Sequence, residues 1–165
     1  MCDVRVRLVR ISDAAAIRDI YNREVTGSTV TFDMVPRTLE DQQGWIADHS
    51  GAHPAVVAVD PDDAVVGFAS LSPYRSRPAY STTVEDSVYV EAGRRGTGVG
   101  RFLLGEIVDL AVTGGFHSVM ARIVGTHEAS IRLHQACGFE LVGVEREVGR
   151  KFGQWLDVAL MQRLL

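Results

Sequence analysis

Four glycines and two arginines stand close together at residues 93–100, just past the middle of the chain. Glycines let a backbone approach a ligand closely and adopt positive φ angles. The apolar residues that follow, among them Leu103 and Ile107, are spaced near three and four and predict an amphipathic helix. The first turn of such a helix offers free N–H groups and a positive dipole end to an anion. With the mobile positive charge of the arginines, the pattern predicts a turn that binds phosphate or pyrophosphate.

Two well-known nucleotide-binding loops fit this turn poorly. A P-loop needs Lys followed by Ser or Thr after its last glycine, whereas Arg101 follows Gly100 here. A dinucleotide-binding turn belongs on an early strand with an acid about twenty residues further on, and these glycines come after half of the chain. A glycine-rich connection between a strand and a helix, without any ligand, stays open as the structural alternative.

Glu85 is the first candidate for proton transfer. Apart from Asp86, its neighbours in residues 82–90 are apolar residues, threonines, a serine and a tyrosine, typical of a strand. A charge in such a strand is costly unless it is paired or functional. An outward-facing carboxylate on an exposed strand face is the alternative. Because side chains alternate along a strand, Asp86 should point to the opposite face, and it competes for the same role.

His134 is the second candidate. It follows Ile131 by three residues in another segment of helical periodicity, and therefore shares a partly buried face. A histidine can exchange a proton near neutral pH, but a lone histidine on such a face is more often a packed core residue.

Composition limits the classes of protein that this chain can represent. Its 165 residues, 46% hydrophobic and 23% charged, predict a single globular domain over residues 1–165. The net charge of −4, with scattered positive residues, indicates no nucleic acid partner. No apolar run approaches the length of a membrane span and no signal-peptide core is present, so we expect a cytoplasmic protein without a membrane partner. Cys2 and Cys137 form neither a disulfide framework nor a metal-binding pattern.

The helices and strands that must position these residues are predicted from hydrophobic periodicity and from residues that cap helices or form turns. Ser12 is expected to cap the first helix, Thr38 and Asp41 to begin the second with a capping box, and Gly138 to end the fourth. Residues 72–80, with two prolines, should lack regular structure. The resulting order is βα(α)ββ-β-α-β-α-ββ, an α/β sandwich with a mixed sheet. The strands are predicted near residues 4–8, 55–59, 65–71, 82–90, 118–124, 140–147 and 155–160.

Two motifs resemble those of the GNAT superfamily of N-acetyltransferases. Arg95, Gly98 and Gly100 match its acyl-CoA motif Arg/Gln-x-x-Gly-x-Gly/Ala. Residues 133–139 resemble its Leu-Tyr-x-x-x-Gly-Phe sequence, with His134 in place of the tyrosine that serves as general acid towards the CoA thiolate. The resemblance implies a mixed, mostly antiparallel sheet of about seven strands flanked by about four helices, and acetyl-CoA as cosubstrate without a metal.

Further sequences narrow the resemblance to the phosphinothricin and methionine sulfoximine/sulfone N-acetyltransferases. They lie at residues 28–32, 75–80, 83–90 and 149–157, so the similarity spans nearly the whole chain. It implies acetyl transfer to the α-amine of a small amino-acid analogue by direct attack in a ternary complex. Cys2 and Cys137 lack the activating surroundings that a covalent acyl-enzyme would need. The resemblance also implies a homodimer.

The resemblance assigns roles to individual residues. Glu85 would be the base, directly or through water, and His134 a second acid/base group near the thiolate. Arg75 and Arg77 would hold a substrate carboxylate and a phosphinate or sulfoximine oxygen. Residues lining or reaching the amine pocket would be Phe32, Tyr80 and, from a neighbouring subunit, Lys151. Acetyl-CoA would be held by Val88, Tyr89, Val90, Arg94, Arg95, Gly96, Thr97, Gly98, Val99, Gly100, His127 and Ser130.

The chain departs from the superfamily pattern at one position, and two alternative functions remain open. The superfamily usually has an asparagine where this chain has His127, which leaves the geometry near the pantetheine open. Another amine, such as a polyamine, a peptide N-terminus or an aminoglycoside, could be the acceptor, although Arg75 and Arg77 favour an anionic small molecule. The chain could also be a CoA-binding regulatory module without catalysis, which the presence of Glu85 and His134 disfavours.

Overall fold

The computed structural model describes residues 3–165, so Cys2 lies outside the described part. Within that part, the chain forms seven strands and four α-helices, with short 3-10 turns at Ile11–Asp13, Pro78–Tyr80 and Ala92–Arg94. The helices are α1 (Ala14–Gly27), α2 (Leu39–Asp48), α3 (Val99–Thr113) and α4 (Glu128–Ala136). The strands are β1 (Arg5–Leu8), β2 (Ala55–Val59), β3 (Val65–Pro73), β4 (Thr83–Val90), β5 (Ser118–Val124), β6 (Glu140–Lys151) and β7 (Gln154–Leu164).

All seven strands join one sheet in the order β1-β2-β3-β4-β5-β7-β6. Every neighbouring pair is antiparallel except β4 and β5, which run parallel. A parallel pair needs a crossover connection, and α3 provides it. The prediction of a mixed, mostly antiparallel α/β sheet with about four helices is therefore confirmed. None of the helices within residues 3–165 is long and apolar enough to cross a membrane.

Helices cover both faces of this sheet, and each face has its own core. On one face, α3 buries Leu103, Leu104 and Ile107 against the sheet, and α4 packs Ile131 and Leu133 beside them. On the other face, α1 and α2 bury a second cluster around Phe68. Buried strands such as β2, apolar on both faces, are what a sheet sandwiched between helices requires.

Local sequence signals differ in how well they predicted helix starts. The Thr38–Asp41 capping box forms as predicted, with each residue's side chain bound to the other's backbone N–H. The prediction that Ser12 caps α1 is wrong, because a 3-10 turn precedes the helix and Asp13 takes that position. The Asp13 carboxylate instead pairs with Arg7 at 2.8 Å.

Three strands run further than the sequence indicated, and one of them is β7, which continues past its predicted end at residue 160 to Leu164. Strand β3 continues to Pro73, into the segment predicted to be irregular. Strand β6 continues past Glu147 to Lys151, with an irregular register between Glu145 and Gly149. Glu147 adopts a φ of 49° there, and its N–H donates to the Asp157 carboxylate at 2.7 Å. This side-chain contact stabilises a backbone conformation that residues other than glycine rarely adopt.

Candidate active site

The parallel strands β4 and β5 pair over only three residues each. Thr83, Val84 and Glu85 face Ser118, Val119 and Met120, after which the pairing ends although both strands continue. A cavity of about 550 Å³ lies at this divergence. Because β4 remains paired with β3 on its other side, the edge of β4 that faces β5 carries backbone groups without a strand partner. Such an edge can pair with an extended molecule.

Most of the predicted site residues line this cavity. From those expected to act in catalysis or to hold the amine, it receives Glu85, His134 and Phe32. From those expected to hold the cosubstrate, it receives Val88, Tyr89, Val90, Arg94, Arg95, Gly96, Gly98, Gly100, His127 and Ser130. The residues that do not line it are Thr97, Val99, Arg75, Arg77, Tyr80 and Lys151.

The glycine turn forms one end of the cavity. Gly96 and Gly98 have φ angles of 76° and 96°, the left-handed region that favours glycine. Gly98 precedes the first residue of α3, so free N–H groups of its first turn border the cavity. Gly100 has a different reason to be glycine, since a Cβ there would lie 3.1 Å from the Leu133 side chain of α4. Val99 is a buried core residue.

Both arginines of the turn are already paired. Arg94 contacts the Asp60 carboxylate at 2.9 Å, and Arg95 forms an ion pair with Glu24 of α1. The expectation that these arginines provide mobile charge is therefore wrong for this structure. Both guanidinium groups are nevertheless about half exposed, with side-chain exposures of 44% and 51%, so further anion contacts are geometrically open to them.

Glu85 lies where β4 and β5 diverge and is partly buried. Burial raises the pKa of its carboxyl; the nearby charge of Asp86 adds to this, whereas Arg122 and Arg75 oppose it. Arg122 of β5 also lines the cavity and pairs with Glu145 at 2.9 Å. Sequence reasoning missed Arg122, although one arginine inside an otherwise apolar strand is a detectable signal.

His134 is buried on α4 and hydrogen-bonded at both ring nitrogens. Its Nε2 lies 2.9 Å from Asp86 Oδ2, and its Nδ1 lies 2.7 Å from the carbonyl oxygen of Ser130. Burial alone would lower the pKa of His134, but its hydrogen bond to Asp86 and the charge of that carboxylate outweigh burial and raise it. The sequence placed Asp86 on the opposite face from Glu85, but it did not connect Asp86 with His134.

The loop after α1 provides another wall. The Phe32 ring packs so closely on Gly149 of β6 that a Cβ there would lie 2.3 Å from a ring carbon. Lys151 is 2% exposed, and its Nζ donates to the Thr31 carbonyl at 2.8 Å. The expectation that Lys151 reaches a neighbouring subunit is therefore wrong, because this side chain is held inside its own chain. Burial lowers its pKa.

The predicted anion-binding loop lies outside the cavity lining. The Arg75 guanidinium stacks over the rings of Tyr74 and Tyr80, at 5.0 and 5.9 Å from their centroids. Arg75 is also close enough to Glu85 to influence the pKa of that carboxyl. Arg77 precedes the 3-10 turn that carries Tyr80 and is exposed. The structure thus brings Arg75 near the cavity but gives Arg77 no contact with it.

His127 marks the departure from the usual asparagine. It precedes α4 as the N-cap residue and lines the cavity. Burial lowers its pKa, and the positive charge of Arg95 acts in the same direction. A neutral imidazole can both donate and accept a hydrogen bond, so this position keeps the bonding capacity of an amide.

The lining fits acetyl-CoA in three respects. The free edge of β4 suits the amides of a pantetheine arm. The start of α3 and its two nearby arginines suit a pyrophosphate. Glu85 adds a carboxylate to the same cavity, where it could accept a proton from the acceptor of the acetyl group. Within residues 3–165, no cluster of His, Cys, Asp or Glu could hold a metal ion.

Comparisons with known proteins agree with this geometry. The family model of the acetyltransferase (GNAT) domain matches residues 6–160. A phosphinothricin N-acetyltransferase of Streptomyces coelicolor is 40% identical over 166 residues, covering 99% of this chain and 97% of the relative. An L-methionine sulfoximine/L-methionine sulfone acetyltransferase of Pseudomonas aeruginosa is 37% identical over 158 residues, covering 95% of this chain and 92% of the relative.

A solved structure extends the similarity to the bound cosubstrate. A GNAT superfamily phosphinothricin acetyltransferase from Sinorhizobium meliloti, in complex with AcCoA, has a TM-score of 0.95 and 38% identity, covering 99% of this chain and 89% of that one. The resemblance noted from the motifs is thereby confirmed. The chain belongs to the GNAT family and is an N-acetyltransferase that uses acetyl-CoA.

Proposed function

We propose that this enzyme acetylates the α-amine of a small amino-acid analogue with a tetrahedral, oxygen-bearing centre. Phosphinothricin, methionine sulfoximine and methionine sulfone are the candidate acceptors, because relatives named for them match nearly the whole chain. The observation that carries the proposal is the position of Glu85, a partly buried carboxylate at the divergence of β4 and β5.

Glu85 serves as the general base in this proposal, directly or through one water. An α-amine has a pKa of about 8 and is mostly protonated at neutral pH, so it must lose a proton before it attacks. Burial raises the proton affinity of Glu85, which brings it closer to that of the amine. Arg122 and Arg75 favour the ionised form and keep the carboxylate available as a base.

Direct attack in a ternary complex accounts for the residues better than a covalent acyl-enzyme does. Cys137 is absent from the cavity lining, and burial raises the pKa of its thiol. A thiol is a nucleophile only as thiolate, so this shift makes Cys137 a poorer acyl acceptor.

Arg75 is our candidate for the anionic part of the acceptor. Its guanidinium is held over two aromatic rings, outside the cavity but near Glu85. A guanidinium fork suits a carboxylate or a phosphinate. Arg77 precedes the 3-10 turn of this loop and Tyr80 ends it. We propose that both complete the contact with the acceptor after the loop moves towards the cavity.

We also propose that the enzyme is a homodimer and acts in the cytoplasm, where acetyl-CoA is supplied. Strand β6 is an edge strand of 12 residues. Large apolar side chains on β6, on β7 and in the turn between them are more than half exposed, an arrangement that favours a protein partner: Leu141, Val142, Val144, Phe152 and Trp155. Light scattering would test this proposal, since Trp155→Glu should convert a dimer to a monomer, and a monomeric wild type would refute it.

Thiol release from acetyl-CoA tests the acceptor. L-phosphinothricin, L-methionine sulfoximine, L-methionine sulfone, spermidine and a short peptide would be compared as acceptors at equal concentration. We expect release with the first three only. Release with spermidine or the peptide alone would refute the proposed acceptor class, and acetyl-CoA binding without release for any amine would favour the regulatory module.

A further inference from the structure

The contact between Asp86 and His134 is the most completely buried ion pair in the described part of the chain. Their side chains are 1% and 4% exposed, and 2.9 Å separate Asp86 Oδ2 from His134 Nε2. Asp86 also lines the cavity. Its other oxygen, Oδ1, is buried and has no hydrogen-bond partner among residues 3–165. A buried carboxylate oxygen without a donor is costly, and a donor from a bound molecule would satisfy it.

The hydrogen bonds of His134 determine how many protons the pair holds. A backbone carbonyl only accepts, so Nδ1 must carry a proton to bond the Ser130 carbonyl at 2.7 Å. Between Nε2 and Oδ2, a proton must lie on one side or the other, because two lone pairs facing each other at 2.9 Å would repel. The pair therefore holds one proton beyond that on Nδ1, and its net charge is zero.

We propose that Asp86 is a positioning residue that keeps His134 protonated, so that this pair is the acid that protonates the leaving thiolate. The inference rests on the acetyl transfer proposed above and deepens it. Asp86 acts through His134, and the role requires a carboxylate at residue 86 rather than only a hydrogen-bonding group of similar shape.

The proton inventory of the step balances. The C–S bond of the thioester breaks while the new C–N bond forms, and Glu85 takes the proton from nitrogen. The pair gives its shared proton to sulfur, an S–H bond forms, and the pair changes from net neutral to a charge of −1. Transfer of the proton from Glu85 through solvent then restores the pair. A cycle that starts from the neutral amine therefore neither gains nor loses a proton, and one that starts from the ammonium form releases one proton to solvent.

The charges around the pair favour this role. Glu85 of β4 and Arg101 of α3 line the same cavity as the pair. His127 lies before α4, where burial keeps it neutral by lowering its pKa, and Cys137 follows the helix with a raised pKa. The buried carboxylate of Asp86 is the charge that acts on His134 most directly, and it favours protonation of the ring.

The protonation state can be measured in the free protein, without acetyl-CoA or an amine. We would record the ¹⁵N and ¹H signals of the His134 ring in the wild type across pH 5–9. The proposal expects one non-titrating state through pH 7, with both ring nitrogens protonated or with one proton shared with Asp86. A ring that titrates with an ordinary histidine pKa of about 6.5 would overturn the proposal, whatever the acceptor proves to be.

Kinetics of Asp86→Asn supply the second measurement. The amide keeps the shape of the side chain but not its charge, so we expect kcat to fall by about ten- to a hundredfold. The alkaline limb of its pH profile should move to lower pH, while the KM for acetyl-CoA stays unchanged. Asp86→Glu, which restores a carboxylate, should recover part of the rate.

Asp13→Asn is the matched control. Asp13 is another buried aspartate in an ion pair, with 5% side-chain exposure, and it does not line the cavity. This variant should lose stability without any change in the pH profile. Equal pH profiles for wild type and Asp86→Asn would refute the proposal, as would an Asp13→Asn profile that shifts in the same way. If Asp86→Asn does not fold, the ring signals of the wild type decide alone.

Discussion

Glu85 and Asp86 are adjacent in β4 and point to opposite faces of the sheet, yet both line the same cavity. In a continuous sheet, neighbouring side chains are separated by the sheet itself. Here β4 and β5 stop pairing at Glu85, and the gap beyond that residue is open to both faces. A base from one face and an acid from the other can therefore act on the same bond.

Replacing Glu85 tests its role as the base. We expect Glu85→Gln to lower kcat by roughly 10²- to 10⁴-fold, because an amide cannot accept the proton of the amine. The dissociation constant of acetyl-CoA, measured by calorimetry, should stay as it is. Glu106→Gln, on the exposed side of α3, is the control with unchanged kinetics. Unchanged turnover in Glu85→Gln would remove this residue from the mechanism.

The pH dependence of kcat/KM should report the environment of Glu85. The base acts when deprotonated, so the rate falls as pH drops through its pKa. Because burial raises that pKa, the acid limb should lie above the ordinary glutamate value of 4.5. The limb should disappear from the residual activity of Glu85→Gln. A rate that stays constant down to pH 4.5, in a protein that remains folded, would contradict this assignment.

Gly149 offers a sharp test of the wall built by Phe32. A methyl group at residue 149 would overlap the Phe32 ring, so Gly149→Ala should displace the ring and cost about 1–3 kcal/mol of unfolding free energy. We expect a raised KM for the amine with little change for acetyl-CoA. Gly143→Ala, in the same strand with open space around it, is the matched control. Equal effects of both variants would mean that the Phe32 contact is irrelevant.

The two loop arginines should differ in effect. Arg75→Ala should raise the KM of the amine by roughly tenfold to a hundredfold, the equivalent of one lost charge-assisted hydrogen bond of about 1.5–3 kcal/mol. Arg77→Ala should have the smaller effect, since of these two arginines Arg75 is the one close enough to influence the pKa of Glu85. The KM of acetyl-CoA should not move in either variant. If both constants rise together, the arginines support the fold rather than the acceptor.

Local patterns were sufficient to predict much of the fold. Strand β5 occupies the residues that its apolar run predicted, and the capping box at Thr38 formed because both of its bonds lie within four residues. The extension of β6 to Lys151 was missed because it depends on Asp157, ten residues away, which binds the N–H of Glu147. Sequence periodicity does not report such a contact.

The candidate site was predictable where a motif is contiguous. The glycine turn and Glu85 were identified from neighbouring residues, and both border the cavity. The partners of these groups were not identified, because they come from distant segments. Glu24 and Arg95 are 71 residues apart, and Asp86 and His134 are 48 apart. The divergence of two strands has no signature in the composition of either one.

The contacts of the Phe32 wall also bear on the order in which this protein is made and assembled. Lys151, whose amine donates to the Thr31 carbonyl, is 120 residues from that partner in the sequence. Gly149, on which the Phe32 ring packs, comes equally late in the chain. During synthesis, the loop after α1 leaves the ribosome long before either support exists. Closing so long a loop belongs to the slow, non-local part of folding. A nascent chain can thus complete its glycine turn and the cluster around Phe68, whose residues all precede that turn, while the acceptor side remains unfinished, and it becomes competent only when β6 has been added.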